Sequence, residues 1–298
     1  MLFLIMIKWP EKLVEDIARR RCVLFLGSGV SANSINADGD HPKTWIEVLQ
    51  EGISKLPEDI TKKQKDVIHK SIKHGDLLLA CELLRKYLGP DEYKDLLKSE
   101  FFDKHFLTAK IHEEIEQLDS RLVITPNFDQ IYEKYVHSIP GNDVVIAKYS
   151  DRNIADVIRS ANRLIIKSHG DITAGDEIIF TKADYAKARN QYAQFYNLLD
   201  ALLLTNTFIF IGAGLNDPDI QLLLEDYTYR NKYKRKHYFV TSKDCMSADE
   251  FAVLEETLSL KFLKYDKKEG HKELTDSIVE LHSLVDTKRE ELSASKDW

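Results

Sequence analysis

Four short apolar segments, each running into a small or polar turn, constrain this chain more than any other feature. They are Cys22–Ser31 (CVLFLGSGVS), Leu122–Asp129 (LVITPNFD), Leu164–Asp171 (LIIKSHGD) and Phe208–Asp219 (FIFIGAGLNDPD). Their cores of Val, Ile, Leu and Phe suit strands covered on both faces, as in parallel sheets. Further strands are predicted at Val144–Tyr149, His237–Thr241 and Leu260–Tyr265. Helical spacing marks Lys12–Arg21, Ile131–His137, Asp184–Leu204, Pro218–Tyr229 and Lys272–Ser293. Strands alternating with helices define an α/β fold with a doubly wound, Rossmann-like parallel sheet. Between Thr44 and Leu118 the strand signal vanishes and apolar residues recur at helical spacing, among them Trp45, Val48, Leu49, Ile53, Leu77, Cys81 and Leu84. The expected organisation is therefore a Rossmann-like domain formed by residues 1–43 and 119–298, with a helical subdomain, 44–118, inserted into it.

Open parallel sheets bind ligands beyond the carboxyl ends of their strands, which would gather the four turns on one rim. Gly27-Ser28-Gly29-Val30-Ser31-Ala32 fits the G-x-G-x-x-A dinucleotide pattern, in which glycines let the backbone approach a pyrophosphate. No Gly-Lys-Ser/Thr follows, so it is not a P-loop. The acidic residue that a dehydrogenase needs at the end of its second strand is also missing, since Glu47 and Glu51 fall in the helical stretch. Asn127, Asp129 and His169 stand directly after strands. Each has a purely structural reading as a turn former, a helix cap or a satisfied polar residue. Asp217-Pro218 reads as a helix cap followed by a first-turn proline.

Composition closes off other classes. A net charge of −7 argues against a dedicated nucleic-acid binder. Three cysteines in unpaired spacing give neither a disulfide framework nor a zinc module, which fits a reducing cytoplasm. The opening MLFLIMI is too short to span a bilayer and reads as a strand, a packing arm or a subunit interface. The basic run KYKRKH from Lys232 reads as a solvated loop, and Tyr185, Tyr192, Phe195 and Tyr196 as core or an oligomer face.

In these motifs the chain resembles the sirtuins, and more closely the sirtuin-like domains of bacterial antiphage defence systems of the Thoeris and sirtuin–HerA type. Sirtuins carry G-A-G-x-S, T-Q-N-I-D, a catalytic His before Gly, and a late G-x-S. The matching segments here are Gly27-Ser28-Gly29-Val30-Ser31, Thr125-Pro126-Asn127-Phe128-Asp129, His169-Gly170 and Gly212-Ala213-Gly214. The defence group is similar also in Pro42 with Trp45, in Lys167 to Asp171, in Asp184-Tyr185 and in Asp217-Pro218. The chain departs from the deacylases at Pro126, which replaces the Gln, and in lacking both G-I-P-D-F-R and any C-x-x-C pair. The resemblance thus implies NAD cleavage to water rather than protein deacylation.

Carried over residue by residue, it implies Asn127 and His169 as catalytic residues. It implies Gly27, Ser28, Gly29, Ser31, Asp129, Gly212, Gly214 and Leu215 around NAD, the substrate, with no metal. Asp129 could instead serve only to fix its turn. The expected function is an NAD glycohydrolase that depletes NAD in antiphage defence; the alternative is a non-catalytic NAD- or ADP-ribose-binding subunit of a defence complex. The chain continues only about 30 residues past its last strand, too few for a sensor domain of ~100 residues. A homo-oligomer is therefore expected, with a partner such as a HerA-type ATPase or an Argonaute-like protein, and without membrane or direct nucleic-acid contact.

Overall fold

A computed structural model describes residues 6–173, 178–231 and 235–295. Most of the apolar N-terminal arm and residues 232–234 of the basic run lie outside these. Seven strands form one sheet: β1 (Cys22–Leu26), β2 (Leu122–Thr125), β3 (Val144–Lys148), β4 (Arg163–Lys167), β5 (Thr207–Ile211), β6 (His237–Ser242) and β7 (Leu260–Tyr265). Their order is β3-β4-β2-β1-β5-β6-β7, and every neighbouring pair is parallel. The α/β, Rossmann-like fold expected from the sequence is thus the observed one. From β1 the chain passes through β2 to the edge strand β3, inserts β4 between the two, then crosses to place β5 on the other side of β1. The reversal of winding at β1 opens the crevice where such sheets hold ligands.

The helices are α1 (Glu11–Ala18), α2 (Ser28–Ser31), α3 (Trp45–Ser54), α4 (Lys62–Lys73), α5 (Leu77–Leu88), α6 (Pro90–Phe101), α7 (Lys110–Gln117), α8 (Ile131–Ser138), α9 (Ile154–Arg159), α10 (Lys182–Gln191), α11 (Ala193–Thr205), α12 (Pro218–Arg230), α13 (Ala248–Thr257) and α14 (Lys268–Ser295). Strand side chains alternate between the two faces. Leu24, Leu26, Ile209 and Ile211 pack with α1, α7, α8 and the part of α14 beyond its break at Glu269–His271. Val23, Phe25, Phe208 and Phe210 pack with α9 to α13. Helices α3 to α6 close a separate core of Val48, Leu49, Ile68, Leu84 and Leu97, which reaches the rim through Phe128 and Phe180. Helix α7 joins the first core instead, through Ile111 and Ile115.

The stretch Asp184–Leu204, read from the sequence as one helix, is two. Helix α10 stops at Tyr192, whose φ of −117° and ψ of 36° leave helical geometry, and α11 starts at Ala193. Two further helices, α9 and α13, bury only Ile154 and Phe251 respectively, so neither leaves a periodic apolar trace.

One buried histidine ties the sheet together away from the rim. His237 opens β6, is 1% exposed, and accepts the Phe208 N–H at Nδ1 (3.1 Å), linking β6 to β5. Burial lowers its pKa from 6.5 to about 4. The neutral ring therefore stabilises the fold fully above pH 6.5, and this contribution is lost as pH falls from 6.5 towards 4. His237→Asn is expected to remove the dependence: the stability advantage of the wild type should shrink by about 3 kcal/mol over that window. Urea unfolding of both proteins across the pH range checks this, and a constant difference would contradict it.

Candidate active site

The rim is built by turns locked against one another. The Gly27 N–H donates to the Ile211 carbonyl (2.9 Å) and the Gly29 N–H to the Gly212 carbonyl (2.8 Å), joining the turns after β1 and β5. A Cβ on Gly27 would lie 2.4 Å from the Ala213 Cα, and one on Gly212, where φ is +64°, would lie 2.5 Å from the Val30 nitrogen. Gly27, Gly29 and Gly212 are thus required for turn-to-turn contact. Gly214 differs: its φ is ordinary, and an added Cβ would meet nothing nearer than the Asn216 nitrogen at 4.0 Å.

The turn after β2 is held from both sides. Asn127 Nδ2 donates to the Gly27 carbonyl (3.1 Å) and to Ser31 Oγ (3.0 Å). Ser31 Oγ in turn donates to Asp129 Oδ2 (2.8 Å), while Asp129 Oδ1 accepts the Ile131 N–H at the start of α8 (3.0 Å). With both amide hydrogens engaged, the Asn127 side-chain oxygen is the part left to address a ligand. Lys167, fully buried at the end of β4, donates to the Asp129 carbonyl and to Glu133 Oε1 (2.6 Å). It braces the Asn127 turn against the turn that carries His169.

His169, two residues on, is buried. Its Nε2 stands 3.5 Å from Asp219 Oδ2 and 3.8 Å from Asp217 Oδ2. The Tyr185 ring meets it edge-on, with centroids 5.2 Å apart at 81°. Burial opposes protonation, but the Asp217 charge and the Asp219 contact outweigh it, so the pKa lies above 6.5. Asp217 Oδ1 caps α12 by accepting the Asp219 N–H (2.9 Å). Burial also raises the pKa of Asp217.

Asn127, His169 and Asp217 line one cavity of about 280 Å³. Its floor is the rim: Gly27, Ser28, Ser31, Asn127, Asp129, His169, Ala213, Gly214 and Asp217. Its other side comes from Pro42 and Lys43, just before the helical segment, and from Trp45, Leu77 and Phe101 within it. Trp45 stacks on Phe180 (5.1 Å, 22°), and Phe128 meets Phe180 edge-on (5.3 Å).

The structure therefore brings together Asn127, His169, Gly27, Ser28, Ser31, Asp129 and Gly214. Gly29 and Gly212 lie behind the lining, committed to each other, and Leu215 packs on the core face of α9 to α13. The sequence reading passed over Asp219, Arg189, Trp45 and Phe180 as site residues, and set Asp217 aside as a helix cap. Tyr185, read as core or an oligomer face, is buried and also faces His169. The T-x-x-D pattern at Thr181 and Asp184, a capping box in the structure, fixes the start of α10 and so places Tyr185 and Arg189 one and two turns along it.

Residues 121–263 match the SIR2-like domain. The chain is 24% identical over 283 residues to a defence-associated sirtuin 2 of Bacillus subtilis, covering 91% of this chain and 26% of that protein. It is 26% identical over 300 residues to the NAD(+) hydrolase ThsA of Bacillus cereus (strain MSX-D12), covering 94% of this chain and 58% of that one. A ThsA NAD(+) hydrolase of Enterococcus faecium is 24% identical over 235 residues, covering 78% and 45%. The chain is thus similar to sirtuin-like proteins of bacterial defence, and spans 26% to 58% of these relatives' lengths.

Among the described residues no three His, Cys, Asp or Glu side chains are grouped to hold a metal ion. No described helix is long and apolar enough to cross a membrane.

Proposed function

We propose that this chain is an NAD glycohydrolase that cleaves NAD to nicotinamide and ADP-ribose, and that it acts as a defence effector by depleting NAD. The observation that carries the reading is a buried imidazole backed by two carboxylates, sharing one cavity with Asn127 at the reversal point of a dinucleotide-type sheet. The related ThsA proteins, named as NAD(+) hydrolases, support the same reaction.

The chemistry suits these residues. Nicotinamide departs as a neutral molecule from a cationic ring, so the reaction needs no strong acid at the leaving group. It needs stabilisation of an oxocarbenium-like ribose and a positioned nucleophile. His169, when neutral, takes a proton from water or a ribose hydroxyl. The Asn127 side-chain oxygen orients that water or the ribose. Gly27, Ser28, Ala213 and Gly214 form the backbone wall along which the pyrophosphate passes. Protein packing does not explain the lack of a side chain at Gly214, whereas close passage of the substrate does.

Incubation of the purified chain with NAD, followed by chromatography, tests the proposal. Free nicotinamide and ADP-ribose in equal amounts are expected. NAD binding without nicotinamide release would instead make the chain a binding subunit.

A further inference from the structure

Three helices from one face of the sheet converge behind His169, and they do so on a single carboxylate. Asp219 Oδ1 accepts from Arg189 Nε of α10 (2.8 Å), with Arg189 Nη2 2.7 Å away. Asp219 Oδ2 accepts from the Tyr196 hydroxyl of α11 (2.9 Å) and faces His169 Nε2. Asp219 itself sits in the first turn of α12, its N–H tied to Asp217. Its side chain is 11% exposed, and it is not among the residues lining the cavity. Asp217 is arranged differently: one oxygen caps the helix, and the residue lines the cavity itself.

We propose that Asp219, clamped by Arg189 and Tyr196, is the positioning residue that fixes the imidazole plane of His169 and balances the charge formed when it takes a proton. This rests on the reading of His169 as the base. Tyr185 holds the ring from its edge, and Arg189 lies over the Tyr185 face with its guanidinium carbon 5.7 Å from the centroid. The ring is thus held at its edge by one residue of α10 and at Nε2 by a carboxylate anchored to another.

The charged and titratable groups packed on the imidazole are Asp217, Asp219, Arg189 and Tyr185, with Tyr196 behind Asp219. With His169 neutral, the two carboxylates and one guanidinium leave this buried cluster one negative charge. Proton transfer to the ring brings it to zero. Uptake of the substrate's proton therefore removes an uncompensated buried charge instead of creating one. The bond broken is O–H of water or ribose and the bond formed is N–H of the imidazole; the electron pair stays on the attacking oxygen.

The test follows the His169 ring by NMR in the unliganded full chain, assigned with His169→Gln, and measures nicotinamide release in parallel. Asp219→Asn keeps the shape and removes the charge. It is expected to move the His169 titration midpoint to lower pH and to reduce kcat by about 10–10²-fold, as for carboxylates that orient metal-bound histidines, with little change in KM. The acid limb of the pH–rate profile should shift with the midpoint. Tyr196→Phe keeps the charge but removes one hydroxyl from the clamp; it should reduce kcat in smaller measure without lowering the midpoint, so the idea stays testable if the Asn variant folds poorly. An unmoved midpoint, or an unchanged kcat in folded Asp219→Asn, would overturn the proposal. If the wild type released no nicotinamide, the activity assignment would fall, and the titration alone would still uphold or overturn the coupling of Asp219 to His169.

Discussion

Nicotinamide release is expected to fall by ~10²–10⁴-fold when His169 is replaced by alanine, the usual loss on removing a positioned general base. Asn127→Ala should reduce it to a similar degree, for a different reason. That change removes the oxygen that orients water and also the two bonds that tie the β2 turn to Gly27 and Ser31. A small stability loss, about 1 kcal/mol per lost hydrogen bond, should accompany it. Circular dichroism melts establish that each variant is folded before its rate is compared. In the wild type, activity requires the neutral imidazole, and the pKa of His169 is raised above 6.5. The rate should therefore decline on acidification from a point above pH 6.5. A folded His169→Ala protein with the wild-type rate would remove His169 from the mechanism.

The second large effect concerns stability and separates glycines that look alike in sequence. In Gly27→Ala the new methyl would stand 2.4 Å from the Ala213 Cα and 2.5 Å from the Gly212 carbonyl oxygen, both backbone atoms that cannot swing aside. The turns after β1 and β5 must separate, at the expense of the Gly27–Ile211 and Gly29–Gly212 hydrogen bonds. Overpacking together with two lost bonds amounts to ~3–5 kcal/mol. Gly212→Ala faces a comparable clash, with left-handed backbone strain of ~1–2 kcal/mol added. Gly214→Ala meets open space, so its stability should stay within about 0.5 kcal/mol of the wild type while NAD binding weakens. Urea unfolding of the three variants, with isothermal titration of NAD into each that folds, measures both quantities. Equal stability losses at all three positions would refute this division between packing and ligand glycines.

Much of this arrangement was legible in the residues. The central strands β1, β2 and β5 could be read because each is a short run rich in Val, Ile, Leu or Phe that stops at a Gly or Pro. That pattern depends on local burial and local turn chemistry alone. Asn127 and His169 could be singled out because they stand at strand ends, which a parallel sheet brings to one rim. Asp219 was not legible as a partner of His169. Beside the strong cap signal of Asp217-Pro218 it looks like an ordinary acidic residue of a first helical turn. Its meeting with a histidine fifty positions earlier depends on how α10, α11 and α12 pack, and no local pattern records that. The break between α10 and α11 was hidden likewise, since Tyr192 is neither Gly nor Pro. Helix α13 could have been found from its capping box, Ser247 with Glu250, even without an apolar stripe. The glycine fingerprint was recognised as a motif, but its main physical demand, contact with a turn 185 residues away, belongs to tertiary structure.

That contact also orders events while the chain is being made. Gly27 leaves the ribosome early, Asn127 and His169 later, and Gly212 and Asp219 later still. At 5–20 residues per second, roughly 10–40 s separate the synthesis of Gly27 from that of Asp219. Throughout that interval the first turn lacks the surface it locks onto, the β1 strand lacks its β5 neighbour, and the imidazole lacks its carboxylates. A nascent chain therefore cannot assemble the complete cavity, however well its first half has folded. The NAD cleavage proposed for this cavity would in this way stay silent on the ribosome, held back by the order of the strands.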